Sequence, residues 1–165
     1  MDNYKEIVTK AVIGKSRKSL KDNFEIKCDN NVTTVLGCWI INHRFSGVND
    51  NDVVNVNGEY DVNVWYSYDN DTKTDVVKET YSYHDSIKVN LKDTLDSNSE
   101  VIIESLKDPT VNEVKVDNNK IVLDIDKELG CEVVGNTKIK VPVKIVDDEY
   151  EDISDIDNIN DDYLK

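Results

Sequence analysis

The sequence has few of the features that nucleic-acid binding or membrane insertion requires. Among its 165 residues, only 20 basic side chains accompany 34 acidic ones, so the formal net charge is −14. Sequence-independent binding to DNA or RNA is not expected, because it depends on Lys and Arg that neutralise phosphates. No apolar run approaches the roughly 18 residues of a membrane span, and the start lacks the basic and then apolar pattern of a signal peptide. We therefore expect no nucleic-acid partner, no membrane insertion and a protein that starts out in the cytoplasm.

Cysteine and histidine are also scarce. The three cysteines are Cys28, Cys38 and Cys131. An odd, small number in a cytosolic chain is not typical of a disulfide framework, so these residues are either small apolar side chains or the source of a latent intermolecular disulfide. Cys38 and His43 are five residues apart on one expected strand, which predicts opposite faces. The short ligand spacings of structural zinc are missing, and we expect neither a metal nor another cofactor.

Catalytic motifs are missing as well. The chain has no Gly-rich phosphate loop, nucleophile elbow, HExxH or CxxC sequence. Asp69 and Asp71 could suggest calcium, but their loop lacks the glycine and the late glutamate of an EF-hand. Carboxylates are so frequent that no pair is distinguished as an acid–base dyad. The sequence therefore predicts that the protein is not an enzyme.

What the sequence does contain is alternation with period 2, which is typical of strands. In Tyr60–Tyr68 the apolar face holds Tyr60, Val62, Val64, Tyr66 and Tyr68. The opposite face is polar except for Trp65. Similar alternation occurs at residues 24–28, 83–91 and 111–116. This pattern favours strands over helices through most of the chain.

Turn residues separate these strands. Asn57-Gly58 is the strongest hairpin signal, because both residues tolerate the positive φ of a type I′ turn. Asn118-Asn119 and Gly135-Asn136 indicate further hairpins, and Asp69–Asp71 a longer loop. Residues 100–106 are the one place where a short helix competes. We predict an all-β, antiparallel sandwich of roughly eight or nine strands, with a barrel as the alternative.

The composition changes after residue 146. Residues 147–165 contain nine acids and one Lys, and they are rich in Asp and Asn, which are poor helix formers. We therefore expect a β domain over residues 1–146 and a disordered acidic tail over 147–165. The tail is either purely solvating or a segment that docks on a partner. Its apolar residues, the candidate anchors, are Tyr150, Ile153, Ile156, Ile159, Tyr163 and Leu164.

Two features exceed what a plain β domain needs. Trp65, among polar residues on its face, is typical of an interface anchor or a ligand platform, unless a loop of its own chain covers it. The strand Val35–Ile41, with Trp39 and Ile41, is apolar on both faces. It lies either centrally with cover on both sides, which is the favoured interpretation, or with one face against another subunit.

Several blocks of this sequence resemble the family of the spore outer-coat morphogenetic protein E. They are Glu6–Val12 with Lys15–Lys18, Gly37–His43, Tyr60–Tyr68 followed by Asn70–Thr74, and Glu132–Lys138. The block at 60–68 is too long and too unusual in composition to arise by chance, and the resemblance covers nearly the whole chain. The departures are a shorter and less acidic tail, a divergent stretch at 92–119 and a different loop at 46–52.

The resemblance implies a structural scaffold made in the mother-cell cytoplasm and later located in the spore coat, at the boundary of its inner and outer layers. Such a scaffold self-associates, attaches to layers set up by a basement-layer ATPase and recruits outer-coat clients. On this basis Trp39, Ile41, Trp65, Cys28, Cys38 and Cys131 are the self-association candidates, and the tail is the client-docking segment. The competing hypothesis is a carbohydrate-binding sandwich that uses Trp65 as a stacking platform.

Overall fold

The regular elements of the protein are long β-strands. A computed structural model describes residues 3–93 and 99–144. Its strands are β1 (Tyr4–Lys27), β2 (Val32–Asp50), β3 (Val53–Tyr68), β4 (Lys73–Lys88), β5 (Glu100–Asp117) and β6 (Lys120–Pro142). They form two antiparallel three-stranded sheets, ordered β1-β6-β5 and β2-β3-β4. Within the described ranges, no helix is long and apolar enough to span a membrane.

The chain divides into two units. The larger unit comprises Lys10–Thr137 and contains most of both sheets, while the smaller comprises the segments up to Thr9 and from Lys138 onward. In the described part of the smaller unit, the Val143 amide donates a 2.8 Å hydrogen bond to the Asn3 carbonyl. The predicted division at residue 146, together with the whole tail at 147–165, lies outside the described residues and stays a prediction.

The core of the larger unit is built from the inward positions of the alternating strands. The longest inward series is on β3, where the side chains of Val54, Val56, Tyr60, Val62, Val64 and Tyr66 are at most 1% exposed. From the other sheet, β6 contributes Ile121, Leu123, Ile125, Leu129, Cys131 and Val133. Burial of such apolar surface is the main stabilising contribution to a sandwich. The all-β sandwich predicted from the sequence is confirmed.

The predicted number of strands was wrong, because two expected hairpin turns are interior strand residues. Asn57-Gly58 lies inside β3 and Gly135-Asn136 inside β6, and no described glycine has a positive φ. Gly58 pairs with Tyr83, and a Cβ added at Gly58 would overlap the Tyr83 ring. The glycine therefore permits a close approach of an aromatic ring, a role that sequence alone does not distinguish from a turn.

The remaining turn predictions agree with the structure. Asn118 has a φ of 54° between β5 and β6, and Asp69–Asp71 have φ values between 50° and 65° in the loop between β3 and β4. The turn between β2 and β3, where Asn51 has a φ of 57°, was not predicted. Residues 100–106 begin β5 and are not helical.

Strand β2 departs from the prediction in two ways. It is the edge strand of its sheet, so the favoured central burial of Val35–Ile41 was wrong. The register of β2 against β3 also shifts between Ile41 and Arg44, where Asn42 has a φ of 56°. Because a bulge resets the alternation of side chains, Cys38 packs against the core and His43 also points inward, to the Tyr83 hydroxyl. The prediction of opposite faces for these two residues was therefore wrong.

Candidate functional site

The outer face of the sheet β2-β3-β4 carries a cluster of exposed apolar side chains. Trp65 lies on β3 and pairs with Gly37 on β2 and Val76 on β4. Trp39, Ile41, Trp65 and Val76 are each between 42% and 45% exposed, and we call these four residues the indole patch. Trp65 therefore keeps nearly half of its surface exposed in the described part of the chain.

Gly37 separates the two tryptophans of the patch. A Cβ at Gly37 would lie 3.6 Å from Trp39 Cζ3 and 3.9 Å from Trp65 Cε3, so both indoles border the position that has no side chain. A cluster of exposed apolar side chains is typical of an interaction site. The outer face of this sheet is thus suited to binding another surface.

A polar region with both signs of charge continues the same face. Arg44 Nε lies 2.6 Å from Glu59 Oε1, and Arg44 Nη2 lies 3.5 Å from Asp61 Oδ1. Asn42 and Thr80 donate hydrogen bonds of 2.9 and 2.7 Å to the Asp61 carboxylate. These hydrogen bonds, with Arg44 nearby, lower the pKa of Asp61. The charges beside the patch are therefore paired locally.

The three candidate cysteines lie on the inner side of the sandwich and are free thiols. Cys28 and Cys131 are buried, whereas Cys38 is partly exposed. Burial raises the pKa of Cys38 to about 11 and also raises the pKa of the other two thiols. Because the thiolate is the reactive form, all three are weakly reactive in the folded chain. The candidate anchors Tyr150, Ile153, Ile156, Ile159, Tyr163 and Leu164 lie outside the described residues.

A buried cluster of charges was missed by the sequence analysis. Lys127, which is 1% exposed, places its Nζ 2.6 Å from Asp22 Oδ2 and 3.1 Å from Asp85 Oδ2. The Tyr60 hydroxyl donates a 2.7 Å hydrogen bond to the same Asp22 oxygen. The Lys127 ammonium also lies 3.6 Å from the centre of the Tyr83 ring. Three strands, β1, β4 and β6, thus bring opposite charges together inside the core.

Aromatic groups complete the surroundings of this cluster. His43 Nε2 lies 2.6 Å from the Tyr83 hydroxyl. Burial lowers the pKa of His43 and raises the pKa values of Tyr60 and Tyr83. Buried polar groups of this kind are retained only when they have partners.

A sequence signal for the cluster exists in the alternation of its three strands. Lys127 occupies an inward position of the apolar series Ile121–Val133. Asp22 likewise stands between the inward Leu20 and Phe24, and Asp85 between Tyr83 and Ile87. A charge at an inward position of an apolar series predicts a buried partner of opposite sign.

The described part of the chain contains no candidate metal site. Within residues 3–93 and 99–144, no group of three or more His, Cys, Asp or Glu side chains could hold a metal ion.

Comparison with known proteins gives one match. The protein-family model described as Outer spore coat protein E (CotE) matches residues 3–165. Neither the curated proteins nor the solved structures gave a match. The matched range includes all six strands and the acidic C-terminal residues.

Proposed function

Because the chain belongs to the Outer spore coat protein E (CotE) family, we propose that it is a scaffold whose β-sandwich binds further copies of itself through the indole patch. A role in the outer spore coat follows from the family, which is a structural coat family and not a known enzyme family. Self-association and the recruitment of other coat proteins are the parts that we propose.

The observation that supports this proposal is the exposure of both tryptophans on one sheet face. Trp39 and Trp65 are the only two tryptophans of the chain, and both lie in the indole patch. Tryptophan is enriched among the residues that contribute most to binding at protein interfaces. Burial of the four half-exposed side chains of the patch against a second surface would remove further apolar area from water.

A second copy of the chain suits this face. At a net charge of −14, two copies repel each other over most of their surfaces. Beside the patch, however, Arg44 is paired with Glu59 and Asp61, so a positive charge accompanies the two carboxylates. A surface that carries both signs can face itself across a two-fold axis, since cations of one copy then meet anions of the other.

Light scattering of the full chain tests the assembly. We expect wild-type protein to form oligomers at micromolar concentration. The double variant Trp39→Ser/Trp65→Ser should instead have an average mass close to that of the monomer. Val48→Ser is the matched control, because Val48 is also an exposed apolar residue of β2 outside the patch. A folded double variant that assembles like the wild type would contradict the proposal.

Disulfides between copies are a further part of the proposal, and Cys38 is their candidate thiol. It is the one cysteine with partial exposure and lies on the edge strand β2. Because its raised pKa makes the thiol weakly reactive, its oxidation would be slow and would follow loss of the reducing environment of the mother cell. Coat extracts should then contain dimers without reductant, and Cys38→Ser should remove them while Cys28→Ser leaves them. Extracts that contain only monomer without reductant would contradict this part.

The acidic tail is proposed to dock other coat proteins. Residues 147–165 offer three isoleucines among carboxylates, a composition that fits a segment which orders on a basic or apolar partner. A chain that ends at Val146 should fold and self-associate but no longer capture clients. Loss of folding, or unchanged capture, would refute this division of roles.

Glycan binding is the alternative function. Two indoles that flank Gly37 form a surface on which a sugar ring can stack. A strictly monomeric protein that binds glycans, and loses that binding in Trp65→Ser, would favour this alternative over the scaffold.

A further inference from the structure

The buried amine between two carboxylates points to covalent chemistry inside the sandwich. We propose that Lys127 and Asp22 condense into an intramolecular isopeptide bond that joins β6 to β1, with Asp85 carrying the proton. The proposal concerns the interior of one chain and does not depend on self-association.

The geometry brings the reacting atoms together. The Lys127 amine lies 2.6 Å from a carboxylate oxygen of Asp22, which places the nitrogen next to the carbon that it would attack. Reacting groups that are held at van der Waals distance in a fixed orientation gain a large rate advantage over the same groups in solution. β6 and β1 are neighbouring strands, so both side chains extend from a rigid sheet.

The surroundings favour the neutral product. The Lys127 and Asp22 side chains are almost completely buried, and the Tyr83 ring covers the ammonium. Charges in such a site carry a desolvation cost even when they are paired. Condensation replaces one ammonium and one carboxylate by an uncharged amide, and so removes the cost of these two charges, while the carboxylate of Asp85, whose side chain is partly exposed, remains.

The two carboxylates differ in ways that assign their roles. Asp22 Oδ2 accepts a hydrogen bond from the Tyr60 hydroxyl, which is placed to stabilise negative charge on that oxygen during attack. The raised pKa of Tyr60 keeps this donor protonated. Asp85 Oδ2 is buried and, apart from its ion pair with Lys127, has no hydrogen-bond partner. Asp85 is therefore free to accept a proton from the amine.

The reaction balances without an oxidant or a co-reactant. Asp85 takes one proton from the Lys127 ammonium and passes it to the Asp22 carboxylate, so that a neutral amine faces a neutral carboxylic acid. The amine attacks Cγ of Asp22, the Nζ–Cγ bond forms and the Cγ–OH bond breaks. The nitrogen gives its second proton to the departing hydroxide, which leaves as one water molecule.

The bond would close a very long covalent loop. Lys127 and Asp22 are 105 residues apart in the sequence, and long-range cross-links restrict the unfolded chain strongly. Unlike a disulfide, an amide resists reductants. We therefore expect the linked protein to unfold at a higher temperature than an unlinked variant.

The intact mass of the full wild-type chain under denaturing conditions is the test. We expect a mass below the sequence mass by one water molecule, and a branched proteolytic peptide that joins residues 22 and 127. A measured mass equal to the full sequence mass, with no loss of water, would overturn the proposal. A branched peptide that joins Lys127 to Asp85 would overturn it as well. This measurement needs no variant, so it is decisive even if substitutions impair folding.

Variants identify the reacting groups. Lys127→Arg keeps the positive charge but should retain the full sequence mass, since a guanidinium is not a nucleophile. Asp22→Asn should lose ammonia in place of water, because its amide nitrogen is then the leaving group. Loss of water from either variant would locate the dehydration elsewhere in the chain and overturn the assignment.

Discussion

The two faces of strand β3 use aromatic residues for different purposes. On the inner face, Tyr60 and Tyr66 are at most 1% exposed, and the Tyr60 hydroxyl is bonded to Asp22. On the outer face, Trp65 is nearly half exposed, and its cross-strand partners are Val76 and Gly37, which has no side chain. Period-2 alternation places these residues within a few positions of each other in the sequence and on opposite sides of the sheet.

The comparison shows how one strand can carry both stability and recognition. A buried aromatic residue stabilises the fold through area and packing, and it is unavailable to a partner. A half-exposed tryptophan contributes less to the fold of one chain and retains apolar surface for another. Substitutions on the inner face should therefore affect unfolding, and substitutions on the outer face should affect association.

Truncation of the central inner aromatic residue should have the largest effect. Tyr60→Ala removes a fully buried ring, and we expect a loss of about 3–5 kcal/mol in the free energy of unfolding. Tyr60→Phe keeps the ring and removes only the hydroxyl that bonds Asp22, so its loss should be about 1–3 kcal/mol. Urea unfolding measures the free energy of unfolding of both variants. A Trp65→Ala loss as large as that of Tyr60→Ala would break the distinction between the faces.

Two glycines of the sheet, Gly58 and Gly37, provide a matched pair with a smaller effect. Gly58→Ala forces a methyl group into the buried Tyr83 ring, and such overpacking costs about 1–3 kcal/mol. Gly37→Ala faces the outer side, where the nearest atom is 3.6 Å away, so its free energy of unfolding should change little. Thermal unfolding of the two variants checks this difference. Equal melting temperatures would show that the inner face is not tightly packed at Gly58.

The smallest effect concerns pH. Burial lowers the pKa of His43 below its ordinary value of 6.5, so the unfolded chain binds a proton that the folded chain does not. Stability should therefore fall as the pH decreases below about 6.5, and stop falling once the pH passes the folded-state pKa. His43→Gln should flatten this part of the stability profile, which urea unfolding at several pH values measures. An unchanged profile in the variant would contradict the burial of His43.

Much of the fold could be predicted from alternation, and the errors have physical causes. The inner face of β3 follows directly from the sequence of Tyr60–Tyr68. The turn predictions at Gly58 and Gly135 failed because sequence does not reveal whether a glycine provides a positive φ or room for a neighbour. The bulge at Asn42 was equally hidden, since it depends on pairing with β3. Without it, Cys38 and His43 were assigned to opposite faces.

The candidate site was only partly predictable. Trp65 stood out because it interrupts a polar face. The exposure of Trp39 and Ile41 depends on the edge position of β2, which only the strand order reveals. Lys127 and its two carboxylates interrupt apolar faces in the same way that Trp65 interrupts a polar one, but their proximity is a property of the tertiary structure.

Tryptophan fluorescence as a function of protein concentration tests the central claim most directly. Both tryptophans of the chain lie in the indole patch, so emission excited selectively from tryptophan reports on this surface. If copies meet there, the emission should shift to shorter wavelength and acrylamide quenching should decrease over the same concentrations at which light scattering shows an increase in mass. An increase in mass with unchanged emission and quenching would show that the copies associate through another surface.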